Sequence, residues 1–268
     1  MGPAALGQAM GAPRPSLRVE KALLREGHLL VGACDEVGRG ALSGPVTVGM
    51  VLVDATVRRP LAGLADSKLL TPPAREALEP RIRRWVVGHA VGHAGPEEVD
   101  EVGILAALRR AGHRALAALP RRPDVVLLDG SYDWLRPPRQ PGLFDIEPLF
   151  PTPDLPPVRT LVKADLRCAS VAAASVLAKT ARDRIMVELA GRHPGYGWAE
   201  NKGYATPDHL AALRRLGPCG QHRCSWRLPE VLPSSAEALF PALVGAPLTE
   251  LPPDQGDNEG LDEWWETG

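Results

Sequence analysis

The sequence predicts an α/β domain, on three observations. Short apolar runs bounded by glycine or aspartate alternate with longer stretches whose apolar residues recur at helical spacing. Hydrophobic residues make up 44% of 268, enough to fill one large core or two small ones. One apolar run ends in two adjacent acids, Asp35 and Glu36, and passes directly into Gly38-Arg39-Gly40.

An Ala/Gly/Pro-rich arm, residues 1–16, is expected to be flexible, with a short helix after it near Leu17–Arg25. His28–Cys34 and Val46–Val53 are apolar, β-branched runs and predict strands. Pro72–Trp85 has helical spacing behind a proline start, and Pro96–Leu119 reads as one longer helix with leucines and alanines on one side. Asp124–Leu128 predicts a compact strand that runs into Asp129-Gly130. Residues 131–157 hold eight prolines, which excludes regular structure from most of that stretch. Val158–Val162 predicts a strand, about Ala169–Gly191 a long helix, and Thr206–Leu216 another.

Charge and cysteine content narrow the class. The net charge of −1 conceals a division, because residues 249–268 carry seven acids and no lysine or arginine. The rest has 31 basic against 25 acidic residues, a modest positive excess that attracts phosphates. Four cysteines in this length do not form a disulfide framework, and the reading is cytoplasmic. Cys219, His222 and Cys224 supply only three ligands, too few for a structural zinc site. No apolar run has membrane-spanning length, and the N-terminal residues lack the pattern of a signal peptide. No heptad stands out, so a monomer is expected.

Asp35 and Glu36 at a strand end offer oxygen ligands for hard divalent cations, and the glycines beside them let a polyanionic backbone approach main-chain N–H groups. Asp129 ends a second apolar run, and Asp165 stands after a third, just before a helix. Taken singly, Asp129 reads equally well as a turn cap and Asp165 as a helix N-cap. Asp35 and Glu36 alternate in facing on a regular strand, so either the strand bends at the pair or Glu36 reaches round its end.

The full string Val31-Gly-Ala-Cys-Asp-Glu-Val-Gly-Arg-Gly-Ala-Leu-Ser-Gly-Pro45 resembles the signature of type 2 ribonuclease H, ribonuclease HII. Further matches follow in order: Leu64-Ala-Asp-Ser-Lys-Leu69, Val126-Leu-Leu-Asp-Gly130, Val162-Lys-Ala-Asp165, the stretch from Ser170 to Asp183, Tyr196 to Tyr204, and His222-Arg-Cys-Ser-Trp226. The resemblance spans roughly Leu17 to Leu228 and implies a ribonuclease H-like mixed sheet flanked by helices, residues 17–192. A small helical, substrate-binding part would follow at 193–232, and an acidic tail at 233–268.

It further implies an endoribonuclease that acts on RNA–DNA hybrids and cuts 5′ of single ribonucleotides in duplex DNA. Asp35, Glu36, Asp129 and Asp165 would hold two Mg²⁺ or Mn²⁺ ions. Gly38, Arg39, Gly40 and Tyr204 would read the ribose, and Lys68 and Lys202 would contact phosphates. Lys179, Arg182 and Asp183, at i, i+3 and i+4 on a helix, fit a supporting role better than a catalytic one. Ala164 stands where the family commonly has glycine, and the Pro-rich connection is longer than the family leads one to expect. The alternatives are type 3 ribonuclease H, another carboxylate nuclease of the same fold, and a non-catalytic nucleic-acid-binding module. Only 34 residues precede Asp35, which disfavours the extra N-terminal domain of type 3. In the tail, Asn258-x-x-Leu261-x-x-Trp264-Trp265 looks like a degenerate sliding-clamp docking peptide.

Overall fold

The sheet grows from β1 (Val31–Val37) at its centre. In this computed structural model, which describes residues 14–137 and 155–229, β2 (Val46–Val53), β3 (Gly88–Ala94), β4 (Val125–Asp129) and β5 (Val158–Leu161) complete it in the order β3-β2-β1-β4-β5. The first three strands form an antiparallel meander, while β4 and β5 lie parallel to β1 and to each other. The parallel pairing brings the C-terminal ends of β1 and β4 side by side, with Cys34 opposite Leu128, so Asp35 and Asp129 each follow a paired residue.

Eight helices flank the sheet among the described residues: α1 (Arg18–Arg25), α2 (Pro72–Trp85), α3 (Pro96–Val102), α4 (Ile104–Ala117), α5 (Ala164–Arg167), α6 (Ala169–Arg192), α7 (Trp198–Asn201) and α8 (Pro207–Leu216). Period-two alternation divides the core. Val31, Ala33, Val125 and Leu127 pack with α1, α2 and α6 on one face, and Cys34, Val48, Val126 and Leu128 with α3 and α4 on the other. α6 is buried over most of its length, as its Ala-rich, nearly unpatterned sequence demands. A third, smaller cluster joins the end of α6 to α7 and α8 through Met186, Leu189, Tyr196, Trp198 and Leu213, the helical C-terminal part expected from the sequence.

Three elements differ from expectation. β3 was not foreseen, because Gly88-His-Ala-Val-Gly-His-Ala lacks the branched and aromatic residues of a typical strand. Its glycines serve packing: a Cβ at Gly92 would collide with the Ala111 carbonyl, so α4 lies directly on the edge strand. The helix expected over Pro96–Leu119 is two helices, broken at Gly103, whose φ of +78° ends one and starts the next. Asp165 is no N-cap; it lies inside the single turn of α5, which precedes α6. The tail, with its clamp-like peptide, and most of the Pro-rich connection lie outside the described residues.

Candidate active site

Asp35 sits in β1 beneath α6, 5% exposed. Its Oδ1 accepts the Glu36 N–H at 2.8 Å. Burial drives its carboxyl up to about 8; the Ser175 hydroxyl opposes this, and the charges of Glu36 and Asp129 add to it. Ser175 in turn shares a 2.8 Å hydrogen bond with the Ser67 hydroxyl, which couples α6 to the turn bearing Lys68. The pairing of β1 with β2 continues without a bulge from Val31 to Val37, so the strand does not bend at the acids. Glu36 therefore lies on the opposite side of the strand, near its end, and Arg39 approaches it at 3.8 Å. Burial also raises the Glu36 carboxyl; Arg39 lowers it, and Asp129 raises it again.

Asp129 closes β4 and accepts the Ala164 N–H at 2.6 Å. That bond ties the two segments carrying Asp129 and Asp165 together. Lys163 helps by adopting a left-handed conformation (φ +57°), reversing the chain between β5 and α5. Ala164 is fully buried, so the methyl where glycine was expected is accommodated without displacing the carboxylate beside it. Asp165 is buried, and its carboxyl is raised by that burial, by Asp129 and by Asp66, against the pull of Lys68.

Lys68 is exposed yet drawn to this charge: its Nζ lies 3.8 Å from Asp165. Its own burial lowers its pKa, but Asp66, Asp35, Asp165 and Asp129 together raise it. Asp66 also accepts the Lys68 N–H at 2.9 Å, fixing the turn. The structure thus brings Asp35, Glu36, Asp129, Asp165, Lys68 and Arg39 into one electrostatic neighbourhood.

Among the described residues no three acids, histidines or cysteines close into a cage for an ion. A small hard cation does not require one, since Mg²⁺ is typically held by one or two carboxylates, waters and substrate phosphates. Carboxylates pushed upward by burial and by one another are the donor set that such a cation would relieve. The residues fit the group.

Gly38 (φ +83°) begins the loop at the end of β1, and a Cβ there would run into Arg182. Gly40 faces open space. Tyr204 is half-buried rather than a core aromatic, with Arg182 5.4 Å and Lys179 5.6 Å from its ring centre. Asp183 accepts from Lys179 at 2.9 Å and from Arg75 at 3.1 Å, and Arg75 also donates to the carbonyls of Ser67 and Leu70. One ion network therefore spans the Lys68 turn and the Tyr204 ring. Lys202 is not brought to the acids: its ammonium turns back onto the Ala199 carbonyl at the end of α7.

Sequence reasoning missed Asp66, Ser175, Arg75 and the depth of Arg182 and Arg223, both fully buried. The signal for Arg182 and Arg223 lay in their position beside recognised strings, but a lone arginine carries no mark of burial.

The chain matches the family model for ribonuclease HII over residues 32–228. It is 46% identical over 220 residues to the ribonuclease HII of Streptomyces coelicolor, covering 82% of this chain and 86% of that one. Among solved structures it resembles ribonuclease HII from Archaeoglobus fulgidus, solved in complex with PCNA, at 25% identity and a TM-score of 0.56, covering 76% of this chain and 98% of the other. It also shares the fold of the ribonuclease H2 of Pyrococcus horikoshii, with a TM-score of 0.55 and coverage of 74% and 94%. Sequence, sheet order and the cluster of acids converge: this chain belongs to the ribonuclease HII family and is a ribonuclease H.

Proposed function

We propose that Asp35, Glu36, Asp129 and Asp165 form the hydrolytic centre of an endonuclease that cuts the RNA strand of hybrids and the 5′ side of single ribonucleotides in duplex DNA. The observation that carries this reading is geometric: Asp35 and Asp129 follow paired residues at the adjacent ends of two parallel strands, and Asp129 is tied to the Asp165 segment through the Ala164 N–H. Each acid has an N–H or cationic neighbour, yet Asp35, Glu36 and Asp165 are all still raised by the charge of Asp129.

The four acids would hold two Mg²⁺ or Mn²⁺ ions, which when bound supply a water nucleophile and charge neutralisation at the leaving oxygen. Asp35 is positioned by Ser175 and the Glu36 N–H, and Asp129 by Ala164, so the carboxylates are oriented before substrate arrives. Lys68, exposed and cationic beside Asp165, would meet a phosphate of the cut strand. The N–H groups of Arg39 and Gly40 have no acceptor among the described residues. Together with the Tyr204 ring they are suited to a ribose and its 2′-hydroxyl, the group that separates RNA from DNA.

The test compares three duplexes in Mg²⁺: all-DNA, RNA–DNA hybrid, and DNA with one ribonucleotide. Cleavage of the second and third but not the first is expected, and its loss on chelation. Cleavage of the hybrid alone would remove the single-ribonucleotide reading. The clamp-like peptide in the tail makes a sliding clamp a proposed partner, supported by the archaeal relative solved with PCNA. Truncation after Pro247 should abolish clamp binding and leave cleavage of short duplexes unchanged.

A further inference from the structure

Arg182 and Arg223 are both fully buried, and neither forms an ion pair with a carboxylate among the described residues. Burying a guanidinium without a counter-charge is costly unless its donors are satisfied. Here every donor nitrogen but the Arg223 Nε, which is buried without a partner, is met by backbone carbonyls, nearly all from one loop. Arg223 donates to the carbonyls of Arg39 (2.9 Å), Gly38 (2.7 Å) and Gly44 (3.1 Å). Arg182 donates to those of Pro45 (2.8 Å) and Ser43 (3.0 Å), and to that of Lys202 (2.9 Å). Six carbonyls are gathered, five of them between Gly38 and Pro45.

This arrangement dictates where the rest of the loop points. In a trans peptide the C=O and N–H project in opposite directions. With the Gly38 and Arg39 carbonyls fixed inward on Arg223, the N–H groups of Arg39 and Gly40 are turned outward. Further along the loop the N–H groups are already used: Ala41 donates to Gly38, Leu42 and Ser43 to Gly203, and Gly44 to Gln221. Among the described residues the N–H groups of Arg39 and Gly40 are left without an acceptor, as is that of Gly38 where the loop leaves β1. Cations behind the carbonyls also polarise these peptides, which strengthens the outward donors. Arg182 adds the second half of the reader, since it lies under the Tyr204 ring and bonds the Lys202 carbonyl two residues before it.

We propose that Arg223 and Arg182 are positioning residues that set ribose discrimination, by holding the Arg39 and Gly40 N–H groups and the Tyr204 ring on one side of a common buried support. This inference rests on the ribose-reading role proposed above for that loop. Neither arginine touches substrate. The ligand chemistry is an acceptor oxygen on the sugar, absent from deoxyribose. A phosphate on the same donors would give affinity without discrimination, because phosphate contacts carry no sugar information.

The experiment measures binding in Ca²⁺ to two duplexes that differ by one 2′-hydroxyl, using wild type, Arg223→Lys and Arg182→Lys. Lysine keeps the charge but cannot serve three carbonyls from a fixed fork. The ratio of ribo to deoxy affinity should fall about tenfold in either variant, with all-DNA affinity unchanged within about twofold. An unchanged ratio in a folded variant overturns the proposal, as does an equal loss on both duplexes.

Wild-type protein supplies a measurement that needs no variant. The Arg223 guanidinium N–H resonances should shift with the ribose duplex and not with its deoxy counterpart, in step with the Arg39 and Gly40 amides. Amides indifferent to ribose would refute the loop's reading role itself. Ribose-responsive amides above an indifferent guanidinium would refute only the inference about Arg223.

Discussion

At the residue scale, the buried Asp35 carboxyl makes a prediction about stability as well as chemistry. Its carboxyl titrates near 3.8 when unperturbed and near 8 when folded. A raised folded value contributes stability at low pH that is lost as pH climbs from about 4 through about 8. Metal-free protein should therefore lose stability across that range, and Asp35→Asn should remove the share that Asp35 contributes. At pH 8 the variant should be more stable than wild type by up to about 5 kcal/mol, with little difference at pH 4. Thermal unfolding at the two pH values checks this, and a wild type equally stable at both would contradict it. Tyr204→Ala should reduce cleavage at a single ribonucleotide by about tenfold or more while changing all-DNA affinity little, since an aromatic ring packs on sugar rather than phosphate. Paired kinetics and binding decide it; equal losses would make Tyr204 a structural residue.

At the scale of elements, the sequence was most legible where chemistry and periodicity coincide. β2, β4 and the long α6 stand close to their expected bounds, because branched runs and helical spacing leave few alternatives, whereas β1, expected over His28–Cys34, is displaced by three residues and takes in Asp35 and Glu36. β3 was hidden by its glycines and histidines. The same glycines now predict its weakness to substitution: Gly92→Val would force the Ala111 backbone away and should cost about 3 kcal/mol in a urea denaturation series. A cost below 0.5 kcal/mol would mean α4 can move. The break at Gly103 was hidden because apolar spacing continues across it. In the C-terminal part, His222 accepts the Cys219 N–H at 3.0 Å, and its Nε2 lies 3.2 Å from that of His209, which in turn accepts from Trp198 at 3.1 Å. Burial and His209 push His222 down to about 4. A lowered histidine contributes stability above its ordinary value of 6.5 that is lost as pH falls toward 4. The local unfolding of α7 and α8, followed by amide exchange, should accelerate over that window, and a flat profile would contradict the pairing.

On the scale of the molecule, the site assembles from segments far apart in sequence, which is why order of motifs was readable and geometry was not. The four acids could be listed from strings, but the reach of Glu36, the fold-back of Lys202 and the buried arginine pair depend on three-dimensional packing alone. The site gathers at one end of the two inner strands: two parallel strand ends, one helix over them, and a loop held from beneath. The central claim is that these acids act as one hydrolytic centre. It is tested most directly by assaying wild type and Asp129→Asn side by side on a DNA duplex with one ribonucleotide in saturating Mg²⁺. Wild type should cut 5′ of the ribonucleotide, leaving a 3′-hydroxyl and a 5′-phosphate, and Asp129→Asn should bind the duplex as tightly but cleave it about 10³-fold more slowly. Near-normal turnover by Asp129→Asn would contradict the assignment.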